Sequence, residues 1–219
     1  MNTFVTPVGR VMGGFLDTPR TVDLAGKPKE HPTYEIWLGI RKDDPGLQPL
    51  LQQLGSIAQA DFPRGESNQP GFSWKIKDGD AGNAKGEPYP QHCHGHMMLS
   101  FSSGFRPKYV DQQCREIVDV AGTLKIGDYV QIYGNASGNG QTQKPGIYLN
   151  MTYVRLAGYG EAIQTGPDPS AVFGDTPPAL PPGASATPPA AAAPGGGMPG
   201  QQAPQAPGGS VPGQQPPQA

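Results

Sequence analysis

The sequence predicts a mainly β protein, a small five-stranded barrel with one helix, followed by a long low-complexity C-terminal tail. Three observations support this prediction. Short runs of alternating apolar and polar residues recur through residues 1–158, separated by Gly, Pro and Asp. One segment, residues 43–63, has helical periodicity instead. Beyond Arg155 there is no Lys or Arg, and residues 159–219 hold 15 of the 27 prolines and 11 of the 32 glycines.

The tail is assigned from its composition. A segment with so few bulky apolar side chains cannot bury enough surface to offset the entropy of ordering it. We therefore predict one folded domain over residues 1–158, long enough for a single core, and a disordered Pro/Gly/Gln/Ala-rich tail over residues 159–219.

Charge divides at the same boundary. The predicted domain carries 16 basic and 15 acidic residues, while the tail carries three acids, Glu161, Asp168 and Asp175. A domain with a net charge of +1 is no polycation. Any binding to nucleic acid must therefore come from a local groove.

The clearest strand is TYEIWLGIRK, residues 33–42. Its apolar residues from Tyr34 to Ile40 fall at every second position and are predicted to form one core-facing side. Trp37 and Arg41 then lie on the outer face of this strand.

The one helix is predicted from residues 43–63, where Leu47, Leu50, Leu54 and Ile57 follow helical spacing. Pro49 suits the first turn of such a helix, because the amide that proline lacks would have no partner there.

Four further strands complete the prediction. They are FSWKIKDGD (72–80), HGHMMLSFSS (94–103), GDYVQIYGN (127–135) and GIYLNMTYVRLAGYG (146–160). Long turn-rich loops separate them, including the Gly-rich hairpin loop at 136–146. This arrangement favours an OB-type barrel, with a β-sandwich as the alternative.

The two cysteines, Cys93 and Cys114, make no disulfide framework. The N-terminal residues lack the apolar core of a secretory signal, and no stretch approaches the ~20 apolar residues of a membrane span. We expect a cytoplasmic protein with reduced thiols and no membrane partner.

A metal-dependent enzyme is the first alternative that the residues suggest. On a strand, His92, His94 and His96 would share one face and could bind zinc. Structural zinc sites usually take ligands from two separated pairs, and Cys114 stands alone. No nucleophile elbow, Walker loop or HExxH motif is present, so we predict no catalytic residues, no metal and no cofactor.

What remains is a pattern of aromatic residues beside cations. Aromatic rings stack on bases and cations contact phosphates, so this pattern points to single-stranded nucleic acid. For any one ring, packing within the sheet is the competing interpretation. The candidate DNA-binding residues are Trp37, Arg41, Lys75, Lys77, Phe105, Arg106, Lys108, Tyr109, Tyr129, Tyr133, Lys144, Tyr148 and Arg155.

The order of motifs resembles that of the single-stranded DNA-binding proteins of tailed bacteriophages, an OB-fold group. The resemblance covers about residues 30–174 and is carried most specifically by GDYVQIYGN and GIYLNMTYVRLAGYGEAI. It implies sequence-tolerant binding of single-stranded DNA without catalysis, to coat and protect unpaired DNA in phage replication or recombination. It also implies replication or recombination proteins as partners, a homo-oligomer on DNA, and the host cytoplasm as location.

One departure from that group concerns the tail. Its members commonly end in a strongly acidic tail with an aromatic tip, whereas this chain ends in QQPPQA. Recruitment of partners through an acidic tail therefore cannot be carried over. A non-enzymatic structural or adaptor protein that acts through the Pro-rich tail is the alternative function.

Overall fold

The computed structural model describes residues 2–23, 25–83, 85–140 and 143–164, together with residues 172, 174, 176, 177 and 179–182. Residues Met1–Asp168 form one compact unit. Most of the predicted tail lies outside the described residues, so its disorder remains a prediction, as does the domain boundary. Among the residues described, no helix is long and apolar enough to cross a membrane.

Within the described residues, the structure has eight strands and two α-helices, besides two short 3-10 turns. The strands are β1 (Thr3–Val5), β2 (Gly9–Val22), β3 (Pro28–Arg41), β4 (Ile76–Asp78), β5 (His96–Ser103), β6 (Lys108–Val110), β7 (Tyr129–Gly138) and β8 (Ile147–Gly158). The helices are α1 (Leu47–Asp61) and α2 (Val120–Thr123).

Five of the strands close into a barrel in the order β7–β2–β3–β5–β8, with β8 pairing back to β7. All of these pairings are antiparallel except that of β5 with β8, which is parallel. The predicted five-stranded barrel is confirmed. Three short strands extend it: β1 beside β7, β4 beside β5 and β6 beside β8.

The barrel interior is filled by the inward side of each strand. Ile36, Leu38 and Ile40 of β3 are fully buried, as the alternation predicted, and Leu99 and Phe101 of β5 lie beside them. Burial of such side chains is the main favourable term for the fold. The outward side of the same strands is left for other contacts.

The helix α1 confirms the predicted helical segment, a few residues shorter at each end. Leu47, Leu50, Leu54 and Ile57 are buried in the core, as the spacing requires. Gly55 lies where an added Cβ would contact nothing within 4 Å, so this glycine faces open space.

Two strand assignments are corrected. Residues 72–80 do not form a continuous strand: Ile76–Asp78 pairs with β5 and Ser73 makes an isolated bridge to Gly146, but Lys75 between them has a φ of 56° and breaks the pleat. The long strand β2 was not predicted at all, and β3 begins at Pro28 rather than residue 33. Gly14 has a φ of 131° and approaches β3 too closely for any side chain.

The chain continues along the barrel just past β8. The Gly160 amide donates a hydrogen bond to Asp128 (2.9 Å), and the Ile163 amide donates one to the Ile126 carbonyl (3.1 Å). Arg10 donates from Nη2 to the Glu161 carbonyl at 2.8 Å. Residues 159–163, which the composition assigned to the tail, are thus held against the barrel.

Candidate nucleic-acid interface

One row of side chains crosses four neighbouring strands on the outside of the barrel. Val5 of β1 lies opposite Tyr133 of β7, Tyr133 opposite Tyr153 of β8, and Tyr153 opposite Lys108 of β6. Both tyrosines are 40% exposed, and their ring centroids lie 6.1 Å apart at an interplanar angle of 50°. We call Tyr133, Tyr153, Lys108 and Arg155 the tyrosine face.

Arg155 belongs to the next row, opposite Gln131, whose side-chain oxygen accepts a hydrogen bond from its guanidinium. Lys108 and Arg155 are exposed. Within the part of the chain that the structure describes, no carboxylate pairs with either cation. Their charges therefore remain free for a phosphate.

Open clefts flank Tyr153 on two sides. The first has a volume of about 580 Å³ and is lined by Val5, Gln131, Tyr133, Arg155 and Cys114, among others. The second, of about 640 Å³, is lined by the loop from Ser103 to Lys108 together with Asn135 and Asn150. Because Tyr153 lines both clefts, they adjoin.

The loop before β6 supplies three candidates with different surroundings. Phe105 is 87% exposed and lines the second cleft. Arg106 also lines it but donates from Nη2 to Asp17 Oδ1 at 2.9 Å, so its charge is already engaged. Lys108 is the loop's cation without such a partner among the described residues.

Tyr109, predicted to bind DNA, lies instead in the core. Its ring is buried, and its hydroxyl donates to the Leu16 carbonyl at 2.6 Å. Burial raises the pKa of this phenol well above its ordinary value. The ring cannot stack on a base. The alternation of β6, which turns Lys108 outward, turns Tyr109 into the core.

Four further candidates, Lys75, Lys77, Lys144 and Tyr148, lie on β4, on β8 or in the segments just before them. Lys75 Nζ lies 5.7 Å from the centroid of the Tyr148 ring. Lys77, on β4, is exposed opposite Met98 of β5. Lys144 is exposed in the hairpin loop between β7 and β8.

The remaining candidates stand apart from both clefts. Arg41 forms a two-pronged ion pair with Asp43 (Nε to Oδ1, 2.8 Å), which raises the pKa of the arginine and lowers that of the aspartate. Tyr129 is 40% exposed at the start of β7 but lines neither cleft. Trp37, 46% exposed, lies on β3 on the far side of the ring of strands.

The histidine segment departs from the predicted geometry. His92 lies in a 3-10 turn (Gln91–Cys93), and Gly95, with a φ of 73°, reverses the chain before His96 begins β5. The three rings therefore do not share one strand face. In the described residues, no three His, Cys, Asp or Glu side chains are grouped so that they could hold a metal ion. Asp78 and Asp80 both pair with Lys42.

Tyr153 is not among the candidates that the sequence pattern indicated. Strict alternation from Tyr148 would point residue 153 inward. A register shift opposite Tyr133 and Gly134 places an extra residue, Thr152, in β8 and turns Tyr153 outward instead. No pattern in the sequence marks this bulge.

No protein-family model matches the chain, and no curated protein sequence matches it. Solved structures do. The single-stranded DNA-binding protein from bacteriophage Enc34 in complex with ssDNA has a TM-score of 0.59 at 18% identity, covering 74% of this chain and 90% of that one. Its C-terminal truncation gives 0.59 at 19% identity, covering 74% and 88%. The single-stranded DNA binding protein gp2.5 encoded by bacteriophage T7 gives 0.50 at 14% identity, covering 78% and 93%.

At these identities the likeness is one of fold. It confirms at that level the resemblance carried by the β7 and β8 motifs. This chain has the mainly β barrel fold of the bacteriophage single-stranded DNA-binding proteins.

Proposed function

We propose that the protein binds single-stranded DNA without strong sequence preference, through the tyrosine face. The observation that carries the proposal is the pair of adjoining clefts that share Tyr153 and are flanked by the cations Lys108 and Arg155. Exposed rings take bases by stacking, which is worth ~1–3 kcal/mol per base and tolerates every base. The cations beside them would neutralise the phosphates between successive bases.

The same geometry favours unpaired over paired DNA. In a duplex the base faces are occupied by their neighbours, so rings on a sheet surface have nothing to stack on. Open clefts along one face suit a flexible strand better than a rigid double helix. We infer a role in coating and protecting unpaired DNA during phage replication or recombination, without catalysis, in the host cytoplasm.

A strand longer than the clefts would have a defined route. Beyond Asn150 it would meet Tyr148 with Lys75 at its ring, then Lys77 on β4. Replication or recombination proteins and further copies of this chain on the same strand are the expected protein partners. The fold shared with the Enc34 protein, solved in complex with ssDNA, supports the proposal.

The test is fluorescence anisotropy of a labelled thymine oligonucleotide of about 30 bases, titrated with the full chain at two salt concentrations. A duplex of equal length is the control. We expect tight binding to the single strand, weaker binding at higher salt, and much weaker binding to the duplex. Equal affinity for both, or no binding at low salt, would overturn the proposal and direct attention to the adaptor alternative.

A further inference from the structure

A smaller cavity lies beside Trp37, on the side of the barrel away from the tyrosine face. It has a volume of about 230 Å³ and lies on β2, β3 and β5. Among the described residues, none that lines this cavity also lines either cleft, so the cavity and the two clefts are separate. We call its lining the tryptophan pocket: Met12, Trp37, Lys77, Tyr89, Pro90, His92, Cys93, Met98 and Ser100.

Two glycines seat the apolar side chains of this pocket. A Cβ on Gly13 would lie 2.8 Å from Trp37 Cε3, so the indole lies directly against the backbone of β2. A Cβ on Gly39 would lie 2.3 Å from Met12 Cε, so Met12 lies against β3 in the same way. A side chain at either position would displace Trp37 or Met12. Glycine at both positions therefore makes room for the apolar lining of the pocket.

The outward side of a barrel strand is ordinarily polar, but at this pocket it is apolar and partly covered. Met12 and Met98 are buried, and the segment from Tyr89 to Cys93 covers them. Trp37 remains half exposed at the opening. An aromatic face with two adaptable thioethers suits a flat aromatic ligand.

The polar side chains that line the pocket are Lys77, His92, Tyr89 and Ser100, and Lys77 is the cation among them. Lys77 offers only hydrogen-bond donors, and no carboxylate of the described chain pairs with it. Burial, with Arg10 and His96 nearby, lowers the pKa of His92, so its imidazole is neutral at pH 7 and adds no second cation. The Lys77 ammonium matches a ligand that presents carbonyl oxygen at its edge, whereas adenine offers this donor only ring nitrogens.

We propose that the tryptophan pocket holds one unstacked base of the bound DNA strand and favours bases with carbonyl oxygens over adenine. The cavity is smaller than the ~300–1,000 Å³ of sites for drug-sized molecules, which suits a single base. The inference rests on the proposed function and deepens it. Binding would be sequence-tolerant on the tyrosine face and base-selective at this one position.

The test uses abasic oligonucleotides of about 12 residues that carry one central thymine, one central adenine or no base. With the full chain, we expect the thymine to tighten binding about fivefold or more over the fully abasic probe, and the adenine to add less. Trp37→Ala should abolish the excess of the thymine gain over the adenine gain, whereas Tyr153→Ala should keep that excess; stacking on the tyrosine face adds equally to both probes. Lys77→Met retains the apolar stem and should remove the preference for thymine over adenine; any loss of a phosphate contact would weaken binding of both probes equally.

Two results would overturn the inference: a preference for thymine over adenine that survives Trp37→Ala, or equal gains for thymine and adenine in the unaltered chain. If Trp37→Ala lowers the melting temperature, Lys77→Met decides alone, because its side chain is exposed. A thymine 30-mer in the same titration separates the two proposals. Normal binding of the 30-mer without a Trp37-dependent preference for thymine rejects the pocket alone, and failure to bind it rejects the proposed function.

Discussion

Tyr153→Ala removes the one ring that lines both clefts, and its effect on DNA affinity can be estimated from the structure. The side chain is 40% exposed and contacts Tyr133 across the strand pair. Loss of a stacking platform costs ~1–3 kcal/mol per base, which corresponds to a rise in Kd of about 5- to 150-fold. The slope of log Kd against log salt should not change, because no charge is removed.

Folding should be much less affected than binding. The ring lies on the outer face, so its loss leaves no cavity in the core, and the whole scale of β propensity spans only ~1 kcal/mol. The assay is anisotropy with a thymine oligonucleotide, with thermal unfolding measured in parallel on the same preparation.

Tyr129→Ala is the matched control. Tyr129 has the same exposure and lies on β7, yet it lines neither cleft. We expect it to change Kd by less than about twofold, well below the stacking contribution. Equal losses from the two substitutions, or wild-type affinity in Tyr153→Ala, would refute the assignment of the interface to the clefts.

Three further outcomes are expected. Lys108→Met should weaken binding and reduce the salt slope by ~0.7 for the lost phosphate contact, as titrations at several salt concentrations would show; an unchanged slope would place Lys108 away from phosphate. Although burial opposes ionisation of Asp128, hydrogen bonds from Lys125 and backbone amides lower its pKa, so its stabilisation is present above about pH 4 and is lost as pH falls through that lowered value. Asp128→Asn should lower the free energy of unfolding by about 1–3 kcal/mol at neutral pH and reduce its dependence on pH in the acid range. Unchanged stability in denaturant unfolding at neutral pH would show that the hydrogen bonds to the Asp128 carboxylate do not stabilise the fold. Tyr109→Phe should cost ~1 kcal/mol in denaturant unfolding through the lost bond to the Leu16 carbonyl and leave DNA affinity unchanged; weaker binding would return Tyr109 to the interface.

The parts of the fold that could be predicted from the sequence are those with an unbroken period. Alternation along β3 gave the buried Ile36, Leu38 and Ile40 and the exposed Trp37, because every second side chain of a regular strand faces the core. The spacing of leucines gave α1 for the same kind of reason. The outward tyrosine of β7, Tyr133, followed from the same rule.

The parts that could not be predicted are those where the backbone leaves that period. Strand β2 lacks a regular alternation of apolar side chains because Gly13 and Gly14 stand where β3 approaches too closely for a side chain. Thr152 shifts β8 by one residue and exposes Tyr153. Both the strand β2 and the bulge at Thr152 depend on pairing with residues distant in sequence, which a local pattern does not reveal.

Electrostatics limits how much of the binding can depend on salt. In the described residues, Arg41 and Arg106 of the candidate set already pair with carboxylates. The candidate cations without such a pair are Lys75, Lys77, Lys108, Lys144 and Arg155. If each of these five neutralised one phosphate, the salt slope for a single strand would reach only about 3.5.

Affinity beyond that electrostatic contribution has to come from stacking, which salt hardly screens. We therefore expect tight binding to persist at salt concentrations that release more basic proteins, consistent with a domain of net charge +1. The measurement is Kd for the thymine 30-mer from low to high salt. A slope steeper than about 4 would mean that DNA breaks the Arg41–Asp43 and Arg106–Asp17 pairs and recruits their cations.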